Sequence, residues 1–515
     1  MNLSFLKHVR KVVSLAFFLV VLYAFIDFSG SLGTGLISGT LYLQFIPSLI
    51  KFIYTLSFTS IGFFFVFLVT LLFGRVYCSS VCPLGTLQDL ITFLSRKTGI
   101  QKRHKYKRPA NILRFVILGA TIVSVAFISL FLVSMIDPYS VFGKIASSIF
   151  KPVYVGANNL LAAIFNGFDS YVFYQVEYKG FSLPVFVFAV IFLIALLFLA
   201  AKHGRLYCNT VCPVGTLLGT VSKASLFKIQ ISESKCTSCG LCAKDCKSGC
   251  IDFVNKQIDF SRCVACFNCL SSCPSNGIQY KLAWKKNEKQ VEIGDEERRS
   301  VITQSLMAVG GTIGLGLLSE SAKAYGLKPP DRAITPPGSK EKERFHNTCT
   351  ACQLCISQCP TQVLQPSYLE FGFINMGQPK MDFHKSYCNI NCTVCGEVCP
   401  NGAILPLTKE EKKLEQIGIA KFVRGRCVVL TEHTDCGACS EHCPTKAVHM
   451  VPYKDVFIPE VDESICIGCG ACEYACPTTP RKAIYVVANS LHKQAEKPVN
   501  RSQKKEFDPE EDFPF

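Results

Sequence analysis

A helical membrane bundle joined to small cysteine-rich α+β domains is the fold class that three observations in this 515-residue sequence predict. Uncharged apolar stretches occupy 12–26, 52–74, 115–136 and 181–201. The last three reach the roughly 20 residues that cross a hydrocarbon core of about 30 Å, and the first does so with its flanks. Of 29 cysteines, 24 fall in six four-cysteine runs, all beyond residue 230. A near repeat relates Gly74-Arg75-Val76-Tyr77-Cys78 through Cys82-Pro83-Leu84-Gly85-Thr86-Leu87 to Gly204-Arg205-Leu206-Tyr207-Cys208 through Cys212-Pro213-Val214-Gly215-Thr216-Leu217.

The four stretches predict four spanning helices. A cleaved signal peptide is the alternative for the first, but no small-residue cleavage site follows Asp27 cleanly. Lys7, His8, Arg10 and Lys11 precede the first helix, and Arg96, Lys97, Lys102, Arg103, Lys105, Lys107 and Arg108 lie between the second and third. The basic-residue bias makes both positions cytoplasmic. Both Cys-x3-Cys-Pro motifs then follow helices running inward, so the bundle reads as a parallel repeat of two helices plus two, with a pseudo-twofold along the membrane normal. The net charge of +16 is largely topological. A nucleic-acid-binding protein would place a basic face on a soluble domain instead.

Asp27 and Asp137 end the first and third apolar stretches on the outer side. Acidic groups at membrane depth are costly unless they serve a site, so they are either proton acceptors of a quinol pocket or interfacial helix-end residues. Cys78, Cys82, Cys208 and Cys212 carry the i, i+4 spacing of one helical face. They are read as a tetrahedral sulfur site for a metal or cluster, as two redox-active dithiols or as structural Cys-Pro turns. Arg75 and Arg205 favour thiolates beside them.

The cysteine runs determine the rest. Cys at i, i+3 and i+6 wraps three corners of a [4Fe-4S] cube, and a fourth Cys, usually followed by Pro, ligates the neighbouring cluster. Cys236, Cys239 and Cys242 thus take Cys273, while Cys263, Cys266 and Cys269 take Cys246, in a two-cluster ferredoxin-like domain. Sixteen further ligands are Cys349, Cys352, Cys355, Cys359; Cys388, Cys392, Cys395, Cys399; Cys427, Cys436, Cys439, Cys443; and Cys466, Cys469, Cys472, Cys476. The expected cofactors are six [4Fe-4S] clusters. Disulfide frameworks seldom repeat this spacing with Cys-Pro endings, and zinc ribbons use paired Cys-x2-Cys hairpins. The leftover Cys250 stands where Gly277, Val363, Ala403 and Ala447 follow the other runs, and reads as a small buried thiol.

Between the two cysteine-rich regions, Arg298-Arg299 precedes an uncharged stretch, 300–319. This resembles a twin-arginine export signal, which moves folded, cofactor-loaded domains, and it predicts a fifth membrane helix. Ala322-Lys323-Ala324 resembles a cleavage site. The alternative is a cytoplasmic linker helix, with the two arginines a coincidence. The expected division is 1–222 membrane domain, 223–290 cytoplasmic two-cluster domain, 291–325 export-like segment and fifth helix, 326–488 four-cluster domain in the periplasm, and 489–515 disordered tail.

Residues 1–290 resemble the NapH family of membrane ferredoxins of periplasmic nitrate reductase systems, with four helices, two Cys-x3-Cys-Pro motifs and two cytoplasmic clusters. Residues 297–488 resemble the exported NapG/MauM-type four-cluster ferredoxins. The resemblance implies a quinol dehydrogenase component of anaerobic respiration in a bacterial inner membrane. In that role the chain passes electrons from the (mena)quinol pool to a periplasmic reductase or cytochrome, and its partners are membrane lipid, quinone and that protein, with no nucleic acid. Likeness to four-cluster ferredoxin subunits of membrane-linked oxidoreductases further implies nested pairing, in which the outer runs exchange Cys359 and Cys476 and the inner runs exchange Cys399 and Cys443. The alternative is a polyferredoxin that matures or reduces the metal of a respiratory or periplasmic enzyme.

Overall fold

The computed structural model describes residues 5–497 except 56–59, 101–105, 107–108, 127–129, 170–171, 233 and 284–332. Arg298-Arg299, the 300–319 stretch and Ala322-Lys323-Ala324 lie outside the described residues, as does 498–515.

Among the described residues, two helices are each long and apolar enough to cross a membrane: α1 (Phe5–Ile26), and Leu183–His203 further along the chain. Each leaves most of its apolar window uncovered by protein, as a lipid-facing helix does. A third candidate is a bent pair, α2 (Thr34–Tyr42) and α3 (Phe45–Thr55), with a 93° angle between its arms.

The stretch 52–74, expected as one helix, is divided. α3 ends at Thr55 and α4 (Gly62–Phe73) starts afresh. The two are held together because Ser48 Oγ donates to Ser60 O at 2.8 Å and accepts from Phe63 N at 2.9 Å, and because Phe52 packs on Phe63 with ring centroids 5.2 Å apart. Gly62 is needed at the crossing, since a Cβ there would lie 1.8 Å from Tyr42 O.

The Cys78 and Cys82 pair does not share one helix either. α5 (Val76–Ser80) carries Cys78, and Cys82 is the N-cap of α6 (Pro83–Lys97), whose Pro83 suits a first helical turn. The stretch 115–136 is likewise divided into α7 (Asn111–Ala126) and α8 (Phe131–Ile136), with Leu130 outside the helical conformation. α9 (Pro138–Ile145) and α10 (Lys151–Asn166) follow, then α11, the Leu183–His203 helix; α12 (Leu206–Thr210) and α13 (Pro213–Ser222) repeat the α5–α6 turn.

The first cysteine-rich region has β1 (Phe227–Ile231) antiparallel to a strand at Ile278–Leu282, with a short hairpin, β2 (Ile251–Asp252) and β3 (Gln257–Ile258), between them; Ile278–Leu282 is β4. The second has three antiparallel pairs: β5 (Leu364–Pro366) with β6 (Pro379–Met381), β7 (Glu415–Phe422) with β10 (Ile484–Gln494), and β8 (Val448–Tyr453) with β9 (Val456–Val461). The tail expected from 489 therefore begins as strand. Lys493 and Gln494 pair with Gln416 and Glu415, and His492 meets Glu415 at 2.8 Å, contacts that make 489–494 part of the fold.

The two cysteine-rich regions sit at opposite ends of α1. Lys7 Nζ donates to Ser271 Oγ at one end, and Gln358 Nε2 donates to Ala24 O at the other. The 22 residues of α1 rise about 33 Å at about 1.5 Å per residue. α11 repeats the arrangement. Lys179, just ahead of it, is bound by Gln362, and Arg205, just beyond it, has its N–H on Lys247 O.

Candidate functional site

In four of the six cysteine runs the backbone turns left-handed on either side of the middle cysteine: Ser238 and Gly240, Ala265 and Phe267, Ala351 and Gln353, Gly468 and Gly470. Alternating left-handed residues aim successive amides into one concavity and make an anion-binding nest. Non-glycine residues there carry a cost of order 1–3 kcal/mol, which a buried anionic cofactor would offset. A second left-handed residue recurs three positions beyond the last cysteine of five runs, at Gly249, Asn276, Gln362, Gly402 and Lys446.

These loops gather the thiols into six groups of four. Cys263, Cys266 and Cys269 line one cavity with Cys246, and Cys236, Cys239 and Cys242 neighbour Cys273, both as expected. The later sixteen correct the nested pairing. Cys349, Cys352 and Cys355 meet Cys399, and Cys388, Cys392 and Cys395 meet Cys359. Cys427, Cys436 and Cys439 line a cavity with Cys476, and Cys466, Cys469 and Cys472 line one with Cys443. Adjacent runs exchange their last cysteines because each short return strand brings them together before the chain moves on. Cys388 and Cys427 stay with their own runs despite the irregular spacing, since Cys392 N donates back to Asn389 O across the extra residue at 3.2 Å and a short helical turn at Val428–Thr431 takes up part of the longer gap.

The groups form a file. Cys355 neighbours Cys395, Cys469 neighbours Cys388, and Cys472 neighbours Cys439, which orders the four later groups in a continuous row. Buried Lys412 stands between two of them with Nζ 3.2 Å from Cys388 Sγ. Burial disfavours its charge, but the Cys388, Cys395 and Cys469 thiolates hold its pKa above the ordinary lysine range.

Cys250 is buried as expected, with its Sγ 3.5 Å from Cys246 Sγ, and it lines the Cys263–Cys269 cavity. It is therefore a fifth thiol against a four-thiol cage. A thiol hydrogen-bonded to ligand sulfurs favours the reduced, more negative cluster. Cys250→Ala is expected to keep the iron content and lower the midpoint potential of that one cluster, as read by redox titration with electron paramagnetic resonance; an unchanged potential would return Cys250 to a packing role.

Between the two regions the repeat closes around four more thiols. Cys78, Cys82, Cys208 and Cys212 are all buried and near enough to feel one another's charge. Each arginine reaches across to the other copy. Arg75 Nη2 donates to Cys208 O at 3.2 Å and lies 3.8 Å from Cys78 Sγ, while Arg205 Nη1 donates to Cys78 O at 2.5 Å. Gln88 Nε2 lies 3.2 Å from Cys208 Sγ. Gly85 and Gly215 permit the crossing, since a Cβ at either would stand 2.4 Å from Cys78 O or 2.1 Å from Cys208 O.

Both flanks connect onward. Arg75 donates to Ser261 O at 3.0 Å and lies within range of Cys263 in the first region. On the other side stand Tyr77 and Tyr207, the latter donating to Ile136 O at 2.6 Å, followed by Asp137 and Tyr139 beside Cys352. Asp137 is 1% exposed and caps α9 by accepting from Ser140 N at 2.8 Å and Oγ at 2.9 Å. Asp27 is committed to its own turn, accepting from Ser29 N at 2.8 Å and Ser29 Oγ at 2.7 Å. The tyrosines stand within the repeat; Gln88 and Lys412 carry no spacing that marks them, nor does Asp89, whose carboxylate meets Arg205 Nε at 2.9 Å.

Comparison with known proteins finds iron-sulfur families over four segments of the chain. The family described as "4Fe-4S binding domain" matches 56–101 and 185–232, the two Cys-x3-Cys-Pro segments. The "4Fe-4S dicluster domain" family matches 348–403 and 434–479, two separate matches that agree with pairing between adjacent runs. The methylamine utilization ferredoxin-type protein MauM of Methylobacillus flagellatus is 27% identical over 192 residues, 36% of this chain and 81% of that protein. The ferredoxin-type protein NapH of Haemophilus influenzae is 28% identical over 174 residues, 34% of this chain and 47% of that protein. The chain resembles a fusion of NapH-type and MauM-type ferredoxins. The ferredoxin-type protein NapF of Escherichia coli is 27% identical over 157 residues, 30% of this chain and 87% of that protein. No solved structure matches. With its apolar helices and four-thiol cages, this is a membrane-associated iron-sulfur electron-transfer protein of the ferredoxin type.

Proposed function

We propose that the chain carries electrons across a bacterial inner membrane as a quinol dehydrogenase component, from (mena)quinol to a periplasmic reductase or cytochrome. The observation that carries this reading is the placement of thiol cages at both ends of α1 with a buried thiol site between. Each of the six cages takes one [4Fe-4S] cluster, held by the twenty-four cysteines of the six runs, which when bound supplies a one-electron carrier.

The chain's own residues set the path. The nests stabilise negative charge, Lys412 offsets charge between two cages, and the buried aromatic groups exclude water from the span. The basic N-terminus puts the first cysteine-rich region in the cytoplasm and the second in the periplasm, delivered by the Arg298-Arg299 segment. The α4–α6 and α11–α13 units form the two halves of the membrane repeat. Asp137 is the better candidate of the two acidic residues to hold a quinol proton, being beside the Cys349–Cys355 cage, whereas Asp27 caps a turn.

The similarity to MauM favours a second reading, a polyferredoxin that reduces a partner during its maturation. Adding menaquinol to vesicles that hold the intact protein separates the two. The dehydrogenase reading expects bleaching of cluster absorbance near the visible band; clusters left oxidised by quinol but reduced by dithionite would reject it.

A further inference from the structure

We infer that Cys78, Cys82, Cys208 and Cys212 together hold one additional iron-sulfur cluster, shared between the two repeat halves, as the station joining the two cysteine-rich regions. Neither matched segment supplies more than two cysteines, so neither alone can fill a four-thiolate donor set. The fold supplies the other two by crossing the copies.

Charge argues that these thiols are ligated thiolates. Arg75 is 0% exposed, and among the described residues no carboxylate lies within ion-pair distance of it. Arginine stays charged in proteins, and a buried unpaired charge costs several kcal/mol. Nearby, one carboxylate, Asp89, faces Arg10, Arg205 and Lys247 at 3.2, 2.9 and 3.2 Å. Of these cations, Arg10 and Lys247 also face Cys266 of the neighbouring cage, whereas Arg75 and Arg205 both face Cys208. With Asp89 against Arg205, the charge of Arg75 calls for an anionic group beside it, and a two-iron or four-iron cluster on four thiolates carries a net negative charge in either oxidation state.

Position completes the case. Arg10 and Ser14 of α1 contact Ser79 and Thr86 around the site, which places it about 8–14 Å along the roughly 33 Å rise, between the two ends and nearer the first cysteine-rich region. One electron enters and one leaves, with no bond made or broken in the chain.

The inference rests on the electron-transfer reading but not on quinol as the donor. Its test compares iron, zinc and paramagnetic signals per full-length chain in detergent for wild type and for Cys78→Ser with Cys208→Ser. The double variant is expected to lose about two irons for a two-iron cluster, or about four for a cube, with the remaining signals intact as the check on folding. A single Cys82→Ser variant should lose the same signal. Equal iron in wild type and both variants would overturn the inference, as would zinc in place of iron, or a disulfide count that accounts for all four thiols. Failure of quinol to reduce the protein would leave this result unaffected.

Discussion

Cys399→Ala is expected to abolish the same cluster signal as Cys355→Ala, while Cys443→Ala abolishes the one lost with Cys472→Ala. The adjacent pairing requires this, because Cys399 stands with Cys349, Cys352 and Cys355, and Cys443 shares a cavity with Cys466, Cys469 and Cys472. Each substitution should remove about four irons and interrupt transfer along the file beyond the missing station. Nested pairing makes the opposite grouping: Cys399 would be lost with Cys436 and Cys439, and Cys476 with Cys355. Spectra of the four single variants at matched iron loading decide between them.

Gly143→Ala should separate the second cysteine-rich region from the membrane unit. A Cβ at Gly143 would lie 2.2 Å from Cys352 O and 2.8 Å from Phe25 Cζ. The edge of the Phe25 ring and a cage backbone cannot both give way without moving α9, so overpacking of about 1–3 kcal/mol is expected at this contact. All clusters should remain, because the cage thiols are not touched. What falls is the rate at which electrons entering at one end reach the other, by an order of magnitude or more for each few ångströms of separation. Gly156→Ala on α10, where an added Cβ meets nothing within 4 Å, should transfer electrons as wild type does and serves as the control.

The ligands were legible in the sequence because three-residue spacing and Cys-Pro endings are local and chemically constrained. Their partnering was not, because it depends on which return strand ends nearest which loop, as the β5–β6 and β8–β9 hairpins show. Two apolar stretches misled for a related reason. Hydropathy reports apolar surface, but Ser48, Ser60 and Gly62 decide that 52–74 turns back, and each is a small polar or flexible residue within an apolar run. The convergence of the two Cys-x3-Cys-Pro copies was readable from the repeat. The counter-charge was not: Gln88 and Asp89 fall where the second copy has Leu218 and Gly219, so the repeat hides the residues in which its halves differ.

The claim that electrons pass from one end of α1 to the other through this chain is tested most directly in quinone-free liposomes holding the purified protein in one orientation. Dithionite, which does not cross the bilayer, is added outside, and the reduction of all clusters is followed by absorbance and paramagnetic resonance. The account predicts that clusters on both faces are reduced in wild type and that those on the far face stay oxidised in the Cys78→Ser, Cys208→Ser variant. Reduction confined to the exposed face in wild type would contradict it.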